Sequence, residues 1–149
     1  MRRTLSILVA VVATFAIAGT ALAANPHTVG SAKTTVSGNS LIISQSVAGL
    51  GNVPEVTLSL QGTLDVFAQC YNRGGKNPAA DNKQEQADIN LTGTFPVRNG
   101  RTNATFTITP ASTLECPGNQ RVVIESATGT LNVVYQGDTI GQIAVNYTR

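Results

Sequence analysis

Residues Val56 to Tyr71 read V-T-L-S-L-Q-G-T-L-D-V-F-A-Q-C-Y, and this stretch decides the fold. Val56, Leu58, Leu60, Gly62, Leu64, Val66, Ala68 and Cys70 fall on one side of a period-two pattern. Thr57, Ser59, Gln61, Thr63, Asp65 and Gln69 fall on the other, together with Phe67 and Tyr71. Side chains alternate across a strand, so the pattern predicts one long half-buried β-strand, or two joined by a bend at Gly62.

Upstream, Thr34–Val36 and Leu41–Val47 predict two shorter strands, each closed by a Gly- and Asn-containing turn. Ala24–Gly30 reads as a loose N-terminal lead. Downstream, residues 72–86 are polar and rich in Gly, Asn, Lys and Asp, which predicts the longest loop of the chain. Alternation returns over Ala87–Val97, with Ile89, Leu91, Gly93, Phe95 and Val97 aligned. Asn99-Gly100 is a hairpin turn signal, answered by Ala104, Phe106 and Ile108 within 103–108. A second loop over 110–120 carries Cys116. Two more strands follow, over 122–135 and 140–147, around Gln136-Gly137-Asp138. No helix of useful length is predicted. Seven to nine strands with frequent turn signals predict an all-β antiparallel β-sandwich, with an immunoglobulin-like arrangement as the first choice.

The chain opens on Met1-Arg2-Arg3, followed by an apolar run from Leu5 to Ala18 and an A-x-A ending at Ala21–Ala23. A basic start, an apolar middle and small residues at the cut define a secretory signal peptide, assigned here to 1–23. The apolar run is shorter than the roughly 20 residues a membrane-spanning helix needs. Residues 24–149 are then a single exported domain, secreted or associated with the cell envelope, with no membrane contact after cleavage. The chain has 10 basic and 8 acidic side chains. Arg2 and Arg3 leave with the signal, so eight of each remain and the domain is neutral. That balance gives no basic stripe for nucleic acid. Cys70 and Cys116, the two cysteines, predict one disulfide in an exported protein, against the alternative of two buried free thiols. The bond is expected to pin one end of the sandwich, with Cys70 ending a strand and Cys116 in a loop. By chain entropy it is worth on the order of 3–4 kcal/mol.

Catalytic chemistry has little to stand on. The one histidine, His27, lies in the N-terminal lead, where no imidazole is held for nucleophile activation. Asp81, Glu85 and Asp88 cluster in sequence and offer calcium-type oxygens, but Lys83 stands among them and the EF-hand spacing is missing, so a solvated polar loop is preferred. No cofactor or metal is predicted. The N-x-T triplets at Asn90, Asn103 and Asn146 are read as products of composition, not as glycosylated sites. The segment singled out for binding is Asn72-Arg73-Gly74-Gly75-Lys76-Asn77, next to Cys70. Its glycines permit a curled backbone, and Arg73 and Lys76 supply cations. A tight turn that needs these residues for shape alone is the competing reading.

Cys70-Tyr71-Asn72-Arg73-Gly74-Gly75-Lys76-Asn77-Pro78, a later F-P-V-R-N-G segment and Cys116-Pro117 together form a C-x-N-x-G-G-x-x-P pattern with a distant cysteine. This resembles a group of small secreted bacterial proteins of unknown function, found mainly in actinobacteria and similar soil organisms. The resemblance spans Val53 to Tyr135 and implies export, a Cys70–Cys116 disulfide and a β-sandwich. It implies no catalytic residue. The expected function is therefore a non-enzymatic extracellular binding or cell-envelope module. Its expected partner is an extracellular protein or polysaccharide, met through residues 72–83 or by strand addition at a sheet edge. The alternatives are a carboxylate-dependent glycoside hydrolase, which needs two acids about 5–10 Å apart in a cleft, and a protease inhibitor presenting residues 70–78.

Overall fold

The computed structural model describes residues 25–75 and 78–149. The signal peptide assigned to 1–23 lies outside the described residues, as do Lys76 and Asn77 of the singled-out segment. The described chain is built from seven strands: β1 (His27–Ser37), β2 (Ser40–Ala48), β3 (Glu55–Tyr71), β4 (Pro78–Pro96), β5 (Thr102–Ile108), β6 (Arg121–Tyr135) and β7 (Asp138–Thr148). They form two antiparallel sheets, β1-β2-β5 and β4-β3-β6-β7, packed as a sandwich, so the Asn99-Gly100 turn carries the chain from one sheet to the other and β5 pairs with β2, not with β4 as a hairpin would have it.

The stretch that opened the sequence reading is one continuous strand, β3, at the centre of the larger sheet. Its inward residues Leu58, Leu60, Leu64, Val66, Ala68 and Cys70 are buried, while Thr57, Gln61, Thr63 and Asp65 are exposed. Leu41, Ile43 and Val47 of β2 and Ala104, Phe106 and Ile108 of β5 supply the facing half of the core. Phe95 of β4 meets Phe106 of β5 edge to face, with ring centroids 5.2 Å apart. Gly62 and Gly129 mark the closest approach of β3 to β6. Each has a positive φ (149° and 154°), and a Cβ on either would stand 2.7 or 2.5 Å from a carbonyl oxygen of the neighbouring strand.

Two further expectations change. The N-terminal lead is strand from His27 onward, paired with β2 through His27↔Ala48, Thr28↔Val47 and Val29↔Ser46. A bulge between Val29 and Lys33, with Gly30 at φ 68°, breaks the alternation and hides this strand from a period-two reading. Buried Gln45 satisfies the bulge: its amide nitrogen donates to the carbonyls of Val29 (2.9 Å) and Ser46 (3.0 Å).

The second change is larger. The long polar loop over 72–86 is not there as such: β4 already begins at Pro78 and pairs with β3 from Tyr71↔Pro78 onward, and the chain turns at 72–75. The early half of β4 shows no hydrophobic period: its inward Lys83 and Glu85 meet the loop at 109–120, not a facing strand. The β1-β2-β5 sheet is shorter, and the loop at 109–120 covers the far end of the larger sheet in its place. Ala111 and Ser112 of that loop are buried. Its start is clamped by Asn39, whose side chain donates to the Ser112 carbonyl (2.9 Å) and accepts from the Ser112 amide (3.0 Å). Its far end is fixed by the Cys70–Cys116 disulfide, with Cα atoms 5.6 Å apart. The bond thus pins a sandwich end, as the positions of the two cysteines suggested.

Candidate functional site

The turn at 72–75 closes by a hydrogen bond from the Gly75 amide to the Asn72 carbonyl (2.7 Å), with Gly75 at φ 64°. Arg73 and Gly74 are exposed. The sequence reading missed a third cation at this end: the β3–β6 register sets Arg121 opposite Tyr71, and a Cβ on Gly75 would lie 3.1 Å from its guanidinium. Only a long-range pairing brings Arg121 here, so no local motif announces it. The same end holds Tyr71, whose ring lies 4.5 Å from the guanidinium carbon of Arg149. Arg149 also pairs with Glu125 at 3.0 Å. A hydrogen bond to Glu125 and then burial push the Tyr71 hydroxyl up from its ordinary value, with Arg149 opposing.

The acids at 81, 85 and 88 do not converge. Asp81 is exposed near the start of β4, while Asp88 points outward and accepts from the Thr63 hydroxyl (3.1 Å). Glu85 points inward, with its side chain 15% exposed, and anchors the covering loop. One of its oxygens accepts from the Ser112 hydroxyl (2.5 Å) and the Thr113 amide (2.7 Å), and the other from the Thr113 hydroxyl (2.6 Å). Lys83 lies 3.1 Å away and also contacts Thr113. Partial burial works against the Glu85 charge, but the Ser112 and Thr113 hydrogen bonds and the Lys83 ammonium outweigh it, and the carboxyl is lowered to about 2. This is a structural carboxylate. Among the described residues no group of three or more His, Cys, Asp or Glu side chains is placed to hold a metal. His27 is exposed, and its Nδ1 lies 2.8 Å from the Asn25 carbonyl.

The broadest feature is the outer face of the four-stranded sheet. Register lines up Asn90, Gln61, Asn132 and Gln142 as one row of amides crossing β4, β3, β6 and β7. Gln142 donates to the Asn132 side-chain oxygen at 3.1 Å. The next rows hold Asp88, Thr63 and Thr130, then Gln86, Asp65, Thr128 and Asn146, then Gln84, Phe67, Ser126 and Thr148. Rows two residues apart along a strand are separated by about 6.6 Å, and strands by about 4.8 Å. The result is a broad polar face, mostly of groups that both donate and accept hydrogen bonds, with two carboxylates, Asp65 and Asp88, and the apolar Phe67 and Ala144 on it. The alternation in β3 gave this face its polarity, but the amide row needs the register of all four strands.

Two concave regions also stand out. One, of about 480 Å³, lies beside the Asn99-Gly100 turn and is lined by Val29, Ser46, Val47, Pro96, Arg98, Arg101, Thr102 and Asn103, without a carboxylate. The other, of about 570 Å³, has Glu55 as its single lining acid. Neither brings two carboxyl groups together. Compared with protein-family models the chain matches none, and no curated protein matches it.

Proposed function

We propose that this chain is a secreted, non-enzymatic binding domain that lies against an extracellular polysaccharide through the outer face of its four-stranded sheet. The observation that carries the reading is the amide row Asn90–Gln61–Asn132–Gln142 within that broad polar face. A sugar hydroxyl donates and accepts, and so do Asn and Gln side chains, which makes the two chemistries complementary without net charge. A broad face spanning four strands suits an extended polymer better than a small substrate. Export rests on the signal-peptide pattern of residues 1–23, and the disulfide is compatible with it. We also assign the sandwich to the immunoglobulin-like arrangement: the order β1-β2-β5 against β4-β3-β6-β7 corresponds to that fold with its fourth strand moved to the edge of the second sheet.

The test is co-sedimentation of the oxidised domain with insoluble cell-wall polysaccharide. Gln61→Ala/Asn132→Ala is expected to weaken retention about tenfold, at about 0.7 kcal/mol per lost side chain. Arg73→Ala/Lys76→Ala is expected to leave it unchanged. Retention lost in the Arg73/Lys76 variant and kept in the Gln61/Asn132 variant would move the contact to the segment 72–77 and refute the sheet-face reading.

A further inference from the structure

Arg98 and Arg101 face each other across the two-residue Asn99-Gly100 turn. Each donates its amide to the other's carbonyl, at 2.8 and 3.0 Å. Asn99 and Gly100 have φ of 52° and 71°, the conformation a tight hairpin turn needs. Directly opposed residues of an antiparallel pair put their side chains on the same face, and like charges placed so repel. Among the described residues neither guanidinium has an ion-pair partner, and the ion pairs that form lie at Lys83–Glu85 and Arg149–Glu125. The frame beneath them is fixed. The Leu50 amide donates to the Gly100 carbonyl (3.1 Å), the Val97 amide to Pro54 (2.9 Å), and the buried Thr102 hydroxyl to Pro96 (2.8 Å).

Both arginines line the 480 Å³ cleft, whose walls include Val29, Val47 and Pro96. That volume falls within the usual range for small-ligand sites, roughly 300–1,000 Å³. From the cleft, hydroxyl and amide rungs run along β2 and β5: Ser46 donates to Asn103 (2.6 Å), Ser44 bonds Thr105 (3.0 Å) and Ser40 bonds Thr109 (2.8 Å). Two forked guanidiniums match a planar carboxylate, and the rungs beside them match the hydroxyls of a sugar chain. We infer that the Arg98–Arg101 cleft binds the carboxylate of an acidic sugar, with neighbouring sugar units lying along the β2–β5 rungs. The site belongs to the β1-β2-β5 side of the sandwich and does not depend on contact through the larger sheet.

Calorimetric titration of the oxidised domain with soluble oligogalacturonate tests this. Binding is expected to weaken at least tenfold when the oligomer is fully methyl-esterified, at least tenfold in Arg98→Ala/Arg101→Ala, and less in Arg98→Lys/Arg101→Lys. It is also expected to weaken as sodium chloride rises. The alanine pair should melt no lower than the parent, since it removes a repulsion, and this separates loss of the site from loss of the fold. Equal binding of acid and ester would overturn the inference, as would undiminished binding by the alanine pair. So would binding of a short peptide through its C-terminal carboxylate with no binding of the oligouronate. The sheet-face variant Gln61→Ala/Asn132→Ala should titrate like the parent, so failure here and failure of the neutral-polymer reading are distinguishable.

Discussion

Glu85 is a residue whose charge the fold depends on. Its carboxylate collects the Ser112 hydroxyl and the amide and hydroxyl of Thr113, so the covering loop hangs on it. Because its pKa falls from an ordinary 4.5 to about 2 in the folded state, folding favours the ionised form. The stabilisation is complete above about pH 4.5 and is lost as pH falls toward 2. Glu85→Gln is therefore expected to cost about 1–2 kcal/mol at pH 6 and almost nothing near pH 2, which urea midpoints at the two pH values will read. Equal costs at both would show that packing, not charge, holds the loop. In the sequence, Asp81, Glu85 and Asp88 looked like one acidic cluster in a loop. The strand separates them: alternation turns Asp88 to the face opposite Glu85, and four residues of extended chain, about 13 Å, lie between Asp81 and Glu85.

At the scale of elements, β3 was legible and the early half of β4 was not, for the same physical reason. Period-two hydrophobicity reports a sheet face packed on an apolar layer, and β3 has that layer along its whole length. Pro78–Gln86 is strand because β3 offers it a ladder, while its inward side chains Lys83 and Glu85 meet a polar loop. The bulge in β1 hid a strand in a similar way. The tight turn at Asn99-Gly100 and the disulfide were readable because their chemistry is local or compartmental, but a local turn signal could not tell that β4 and β5 part into different sheets. The closeness of β3 to β6 at Gly62 yields a sharp prediction. Gly62→Ala puts a methyl 2.7 Å from the Thr130 carbonyl at a φ that L-residues avoid, so it should cost about 2 kcal/mol or more by chemical denaturation. A stable Ala variant would mean that the two strands separate easily.

For the whole molecule, the Cys70–Cys116 bond takes the place of strand pairing at the end of the sandwich that the smaller sheet does not reach. Cys70→Ala/Cys116→Ala should lower stability by about 3–4 kcal/mol, and amide exchange should rise first over 109–120 and the early half of β4. Uniform loss of protection instead would show that the loop is not a separate cooperative unit. Chemically, the molecule has two sides: a polar face with two carboxylates on the four-stranded sheet, and on the other sheet hydroxyl rungs ending in two arginines that have no ion-pair partner among the described residues. The most direct test of its use is a side-chain amide NMR titration of the oxidised domain with a neutral cell-wall oligosaccharide. If the sheet face is the binding surface, the amide resonances of Gln61, Asn90, Asn132 and Gln142 shift together while those near Arg73 stay put. Shifts confined to the turn at 72–75, or none in the amide row at saturating ligand, would contradict it.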